Sequence, residues 1–334
     1  MSSEVSSPPS REPIDRLREA PVTPMAVRAA LGLGVFTALG QTTMTADELA
    51  RALGVKPRRL ELLLLQLVVG EFLELHDGRF SNTAMAAHYL VEGASNYIGA
   101  IYGSWTEYWS SQLVTEQSIR TDTPQAKIDF EGMSTEELSV FLKGIHGNAV
   151  IAGRNLGKRA SFSKAQRVVD VGGGSGGVAI GLCEIHPQLS VTVVDMPAVV
   201  PIGKEMVEEA GLADRISVKT ADVTKEPLSG DYDIATARAF FQVLSADDCE
   251  KAARNIAAAI RTGGELFVIG YILDDGGLSP DVCVAQNICN LNTFDDGEAY
   301  KEALYRSWLT DAGFVDITRS PEAQGRSLIT ARKA

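Results

Sequence analysis

Cysteine is scarce in this chain. Cys183, Cys249, Cys283 and Cys289 are the only four in 334 residues, with no CxxC pair and no histidine-rich spacing. So sparse a set excludes a disulfide framework and points to a reducing, cytoplasmic setting. Long apolar runs are also missing: no uncharged stretch approaches the ~20 residues that cross a bilayer, so no membrane association is expected. With four histidines and no close acidic or cysteine partners for any of them, no metal site is expected. Basic residues are outnumbered 43 to 31, for a formal net charge of -12. That balance repels a phosphate backbone and makes nucleic acid a poor partner. The opening MSSEVSSPPSREP has neither the basic start nor the apolar stretch of a secretory signal. Its polar, Pro/Ser-rich makeup predicts a disordered tail over residues 1–18.

What is present suits an ordinary globular protein, 45% hydrophobic and 22% charged, and long enough for two domains. Helical spacing of apolar residues runs from Pro24 to Leu39, and TADELARAL opens on a capping-box pattern, Thr45 with Glu48 three residues later. A third helix, PRRLELLLLQLVVG, leads into FLELH and RFSNT, joined by an Asp-Gly pair that favours a tight hairpin. Helices followed by a hairpin predict a winged helix over 19–125. Its third helix is apolar nearly all round, with Arg58 and Arg59 only at its start, which suits packing against a second copy better than a DNA groove. Residues 97–120 form an aromatic-rich linker helix, and a further helix over about 134–158 carries His146 and Asn148. From Arg167 on, short Val/Ile-rich strands alternate with helices. That texture predicts an α/β, Rossmann-like domain over 126–334.

The segment RVVDVGGGSGG is a buried strand running into a glycine-rich turn, where Gly172, Gly174 and Gly176 permit tight dihedrals and close approach of a ligand. Such a turn alone also fits a dinucleotide site. Three later strand ends sharpen the reading: Asp195 closing SVTVVD as a ribose acceptor, Asp222 and Val223 at the adenine position, and Arg238 at the fourth strand's edge. Carboxyl ends of neighbouring parallel strands line one crevice, so these residues converge on a nucleoside.

At this point the chain resembles the small-molecule O-methyltransferases related to plant caffeate and acetylserotonin enzymes, with bacterial members acting on pigments. The family's motif appears here as Asp170-Val171-Gly172-Gly173-Gly174-Ser175-Gly176. The resemblance implies S-adenosylmethionine as cofactor, held by Asp170, Gly172, Gly174, Asp195, Met196, Asp222, Val223 and Arg238, together with an intertwined homodimer. It also implies a catalytic histidine that this chain lacks. The family carries a Lys and, four residues later, a His oriented by a Glu after the next strand; here those positions hold Arg238, Gln242 and Gly270. An orienting carboxylate has no work once the imidazole is gone, so the losses are coherent.

A phenol with a pKa near ~10 is a poor nucleophile without a base. The favoured acceptor is therefore one needing no deprotonation, a thioether such as the 4-methylthio-2-hydroxybutyrate of dimethylsulfoniopropionate synthesis. Tyr102, Trp105, Tyr108 and Trp109 would offer aromatic faces to the new sulfonium, with Phe241, Asn292, Phe294 and Tyr305 as further acceptor contacts. His146 is the candidate substitute base, which keeps open an O- or C-methyltransferase of a secondary metabolite or pigment precursor. A non-catalytic nucleoside-binding homologue and a DNA-binding regulator are the rivals from other classes.

Overall fold

The computed structural model describes residues 9–130 and 132–334, and only the backbone of residues 101–104 and 107. Part of the expected tail is helical. A short exposed helix, α1 (Glu12–Leu17), carries the i,i+4 pairs Arg11 with Asp15 and Arg16 with Glu12, which support a turn that buries nothing. Residues 1–8 of that expectation lie outside the described residues.

The apolar run expected as one helix is two, α2 (Val22–Leu33) and α3 (Val35–Leu39), because Gly34 takes a left-handed conformation (φ 76°) that closes the first and opens the second. Next come α4 (Ala46–Leu53), whose Thr45 and Glu48 form the expected capping box, and α5 (Pro57–Val69). The hairpin β1 (Leu73–His76) and β2 (Arg79–Asn82) turns at Asp77 and Gly78, both with positive φ, as a two-residue loop matching strand twist requires. A last helix, α6 (Ala84–Tyr89), completes this unit, whose core gathers Val27, Phe36, Leu49, Leu64, Leu67, Leu73 and Phe80. On α5, Leu60, Leu64 and Leu67 point inward, while Leu62 is 65% and Val69 78% exposed.

The chain divides into two compact units at Gly103/Ser104, within α7 (Ile101–Gln112), whereas the sequence reading sets its boundary at 125. The aromatic stretch expected as one helix breaks at Leu113, and α8 (Thr115–Thr121) is tied into the second unit. There Ser118 Oγ donates to Asn292 Oδ1 at 2.7 Å.

The second unit continues with α9 (Thr135–Gly157), α10 (Ala160–Lys164), β3 (Arg167–Val171), α11 (Gly177–Ile185), β4 (Ser190–Asp195), α12 (Val200–Glu209), β5 (Ile216–Thr220) and β6 (Tyr232–Arg238). It ends with α13 (Ala246–Ala257), β7 (Ile260–Gly270), α14 (Asp281–Thr293), α15 (Glu302–Asp311), β8 (Phe314–Pro321) and β9 (Ser327–Lys333). The strands form one α/β sheet in the order β5-β4-β3-β6-β7-β9-β8, with parallel pairs from β5 to β7 and antiparallel ones thereafter. Strand β3, with Val168 to Val171 all buried, reads as a continuous apolar run because helices cover both faces of the sheet.

One packing detail sets up the site. Helices α9 and α11 cross at Gly153, Gly177 and Gly181, where a Cβ at Gly153 would stand 2.2 Å from the Val178 carbonyl oxygen and one at Gly181 2.3 Å from that of Val150. Only glycine permits so close an approach, and it brings the middle of α9 against the loop that follows β3.

Candidate functional site

Asp170, near the end of β3, is fully buried, and Thr236, its register partner on β6, donates to Asp170 Oδ1 at 2.7 Å. The other oxygen, Oδ2, is buried with no partner. Burial pushes this carboxyl up to about 7, only partly offset by Thr236 and by the charge of Arg238. After β3 the chain turns through Gly172 (φ 61°), Gly174 (φ 55°) and Gly176 (φ 70°). A Cβ at Gly172 would lie 2.6 Å from the Phe240 ring, so the bare glycine keeps the space between loop and ring open.

Asp195, closing β4, is held from both sides by backbone: Gly174 N–H donates to Oδ2 and Met196 N–H to Oδ1, each at 2.8 Å. Burial raises its pKa, against those two bonds. Each carboxylate oxygen has lone pairs left for hydroxyl donors. An orphaned buried oxygen on Asp170, a cradle that a Cβ would fill and an oriented carboxylate at the next strand's end fit a cationic nucleoside such as S-adenosylmethionine.

Farther along the edge the fit thins. Asp222 lies beyond the end of β5 and caps its own turn, its Oδ1 accepting from Thr224 N (3.0 Å) and Oγ1 (2.6 Å) and its Oδ2 pairing with Lys225 at 2.8 Å. Burial works upward on its pKa, but Lys225 and Thr224 outweigh it and the net shift is downward. Val223 is a core residue, 3% exposed, packed among Leu228, Ala252 and Ile256.

Strand β6 ends at Arg238, followed by Ala239 with a positive φ of 55°. Such a conformation costs an alanine energy, and here it re-aims the chain into the 3-10 turn Phe241–Val243. Gln242 is 7% exposed and committed to structure. Its Oε1 accepts from the Tyr271 backbone N–H at 3.1 Å, and its carbonyl accepts from Asn290 Nδ2 at 3.2 Å. Gly270 is its direct neighbour: a Cβ there would stand 3.3 Å from Gln242 Oε1. The two departures from the family pattern therefore touch.

His146, delivered by the glycine seam of α9, meets the cofactor loop rather than Gln242. Its Nδ1 lies 3.0 Å from Ser175 Oγ. Burial lowers its pKa, with Glu209 and Glu184 acting in the opposite sense, so the ring is neutral at pH 7.

The aromatic residues scatter. Trp105 and Trp109 meet edge to face at 5.8 Å, and Tyr108 is half-buried nearby on α7. The side chain of Tyr102 lies outside the described residues. Phe294 faces Phe130 at 6.4 Å, and Phe130 in turn packs on Phe141 in the cluster that includes Met196. Phe241 and Tyr305, expected at the acceptor, are core residues, each 1% exposed, Phe241 stacked on Trp308 and Tyr305 edge-on to both. Asn292 is fully buried and spent on Ser118, Thr115 and the Ile288 carbonyl. Sequence reasoning passed over Thr236, Ser175, Phe130, Tyr271 and Arg326. Of these only Ser175 and Tyr271 carried a signal, Ser175 as a member of the glycine motif and Tyr271 as the neighbour of Gly270, where the family's Glu is lost. Among the described residues no cluster of three or more His, Cys, Asp or Glu is placed to hold a metal, and no helix is long and apolar enough to cross a membrane.

The family model of the O-methyltransferase domain matches residues 125–315, and that of the O-methyltransferase dimerisation domain matches residues 16–92. The 3-hydroxy-5-methyl-1-naphthoate 3-O-methyltransferase of Streptomyces sahachiroi is 32% identical, over 89% of this chain and 88% of its own. The acetylserotonin O-methyltransferase of Bos taurus is 28% identical, over 91% and 92%. The solved structure of human N-acetylserotonin methyltransferase in complex with SAM covers 100% of both chains with a TM-score of 0.83 at 21% identity, a likeness of fold. With one family model spanning more than half of the sequence and a relative at 32% identity, the chain belongs to the O-methyltransferase family and is an S-adenosylmethionine-dependent methyltransferase acting on small molecules.

Proposed function

We propose that this enzyme methylates a hydroxyl oxygen of a small aromatic acceptor without a general base from the protein. The observation that carries the reading is Gln242, whose only side-chain acceptor atom is occupied by the Tyr271 N–H. An amide so engaged takes no proton. In this reading Asp195 accepts the ribose hydroxyls, Asp170 Oδ2 faces the positive end of the cofactor, and Gly172, Gly174 and Met196 give backbone contact. Asp222 and Arg238 flank them, while Trp105, Tyr108, Trp109 and Phe294 line the acceptor side.

The cofactor supplies an electrophilic methyl on sulfur, a centre at which positioning provides much of the rate. The chain's part is to hold the acceptor oxygen in line and keep water out. The hydroxyl proton leaves to solvent, the oxygen lone pair forms the new O–C bond, and the C–S bonding pair returns to sulfur. The relative from Streptomyces sahachiroi, named for a hydroxylated naphthoate, supports an aromatic hydroxyl as the target.

The test is a pH profile on two phenols of different acidity. Without a protein base, log kcat/KM is expected to climb by about one per pH unit and level off at each acceptor's own pKa. One inflection common to both acceptors, below the ordinary histidine range, would instead assign the base to His146. Gln242→His is expected to change turnover by less than ~3-fold, because Gly270 leaves a new imidazole unoriented. A gain of the ~100-fold or more that a working base supplies would sink the argument.

S-methylation of a thioether, as in dimethylsulfoniopropionate synthesis, also needs no base, and the paired rings of Trp105 and Trp109 favour it. Turnover of 4-methylthio-2-hydroxybutyrate, with a flat pH profile and no phenol product, would replace the oxygen reading with this one.

The dimerisation domain supports a homodimer, and the exposed Leu62 and Val69 on α5 supply an apolar face for it. Light scattering is expected to give twice the chain mass; a monomer at micromolar concentration would contradict it.

A further inference from the structure

At the carboxyl edge of the sheet, two arginines make no direct ion pair among the described residues, although Asp170 acts on Arg238 through its charge. Arg238 closes β6 opposite Ile269, one residue before β7 ends at Gly270, which pairs with Ser327 at the start of β9. The antiparallel return of β9 therefore sets Arg326 beside Tyr271, and its guanidinium carbon lies 4.7 Å from the centre of that ring. One terminal nitrogen of Arg326 donates to Gln324 Oε1, and Gln324 Nε2 donates to Asn148 Oδ1 at 3.2 Å. The Arg326 Nε is buried with no partner. Among the described residues neither Arg238 nor Arg326 takes part in an ion pair. Arg319, on the neighbouring β8, shows what a satisfied arginine looks like here: it is bonded by Asp274 (2.7 Å) and Glu302 (3.2 Å).

This arrangement is costly unless something negative completes it. A guanidinium withdrawn from water without a counter-charge is disfavoured, and two of like sign near each other more so. Burial, then the charge of Arg326, brings Arg238 down to about 10, so Arg238 remains cationic at pH 7. The protein's own acid here, Asp170, is pushed up by burial and already bonded to Thr236. The methyl donor is itself a cation and adds to the excess. Its one carboxylate is outnumbered by its sulfonium and ammonium, so an acceptor carboxylate is the group that would offset the remaining excess.

We infer that Arg238 and Arg326, with the Tyr271 ring as floor, form an anion subsite for a carboxylate on the acceptor, making the preferred substrate an aromatic hydroxy acid. A planar carboxylate meets the fork of a guanidinium with two hydrogen bonds, and the idle Nε of Arg326 is one such donor. The assignment rests on the hydroxyl-methylating reading and narrows its substrate class. The subsite also disfavours an acceptor that gains positive charge on methylation.

The experiment is calorimetric binding to the protein saturated with S-adenosylhomocysteine. The probes are hydroxybenzoate and hydroxynaphthoate isomers, each paired with its uncharged methyl ester. At least one acid is expected to bind ten-fold or more tightly than its ester, and Arg326→Gln is expected to cut that preference about ten-fold. S-adenosylhomocysteine affinity should stay within about two-fold, and Arg326→Lys should restore part of the preference. Equal binding of acids and esters, no binding of any acid, or an Arg326→Gln protein that loses S-adenosylhomocysteine affinity while keeping the acid preference would each overturn the inference. The last result would give the subsite to the cofactor's own carboxylate. A methyl-transfer assay on the same panel separates the two readings. Methylated neutral phenols without acid preference leave the hydroxyl reading standing alone, and acid-selective binding without O-methyl product leaves the anion subsite standing alone.

Discussion

Replacing Asp195 by alanine is expected to weaken S-adenosylhomocysteine binding by at least ~100-fold. Two charge-assisted bonds from ribose hydroxyls, at about 1.5–3 kcal/mol each, account for that much directly. A second loss follows from the same carboxylate's grip on the cofactor loop. With Oδ2 gone the Gly174 N–H loses its acceptor, and with Oδ1 gone so does the Met196 N–H. The loop that shapes the cradle then keeps its bonds to the Val194 carbonyl and to His146 but loses the two that tie it to the end of β4. Asp195→Asn separates the two effects. It keeps one oxygen for Gly174 or Met196 while removing the charge, and its affinity should fall between wild type and alanine. Titration calorimetry measures both variants. An alanine protein that binds within ten-fold of wild type would move the ribose away from the end of β4.

How far the site was legible in the sequence depends on whether a role was local. The glycine turn and the ends of β3 and β4 could be read because backbone dihedrals and strand ends are properties of short segments. So could the linked loss at Gln242 and Gly270, 28 residues apart in sequence and in contact in the fold, since a base and its orienter make sense only together. What depended on burial could not be read. Phe241 and Tyr305 look like substrate contacts in a string of letters, but the chain turns them toward Trp308 and the core. Asn292 resembles a pocket amide until Ser118 and Thr115 arrive from α8 to occupy it. Asp222 also caps its own turn through Thr224 and Lys225, two and three residues away, a local bonding that Asp commonly takes and that a strand-end reading does not show. Arg326 had no signal at all, because only the antiparallel return of β9 carries it beside Tyr271. The break at Gly34 was a signal present but unused, a glycine inside an otherwise periodic run.

Asp170→Asn tests the other buried acid, through pH. In the folded protein this carboxyl titrates at about 7 against an ordinary value of 3.8, because it is wholly buried and Thr236 serves only one oxygen. A folded pKa above the unfolded one means that folding takes up a proton between the two values. The group's contribution to stability is then fully present below about 3.8 and is lost as pH rises toward about 7. The loss is on the order of 4 kcal/mol. An asparagine cannot ionise, so the cofactor-free variant should gain on wild type as pH rises from 5 to 7 and hold its lead above that, on the order of 10 °C in melting temperature at pH 8. Affinity should move the other way. The ionised carboxylate is the form that attracts a cationic ligand, so wild-type affinity for S-adenosylhomocysteine, which carries an ammonium group, should rise by up to ~10-fold per unit from pH 5 to 7 and then flatten. The asparagine protein should bind weakly and without that slope. Melting curves and titrations across pH 5–8 read both trends. A wild-type affinity that ignores pH would mean that the unpartnered oxygen of Asp170 faces no ligand charge, and that the acid in the glycine motif serves the fold alone.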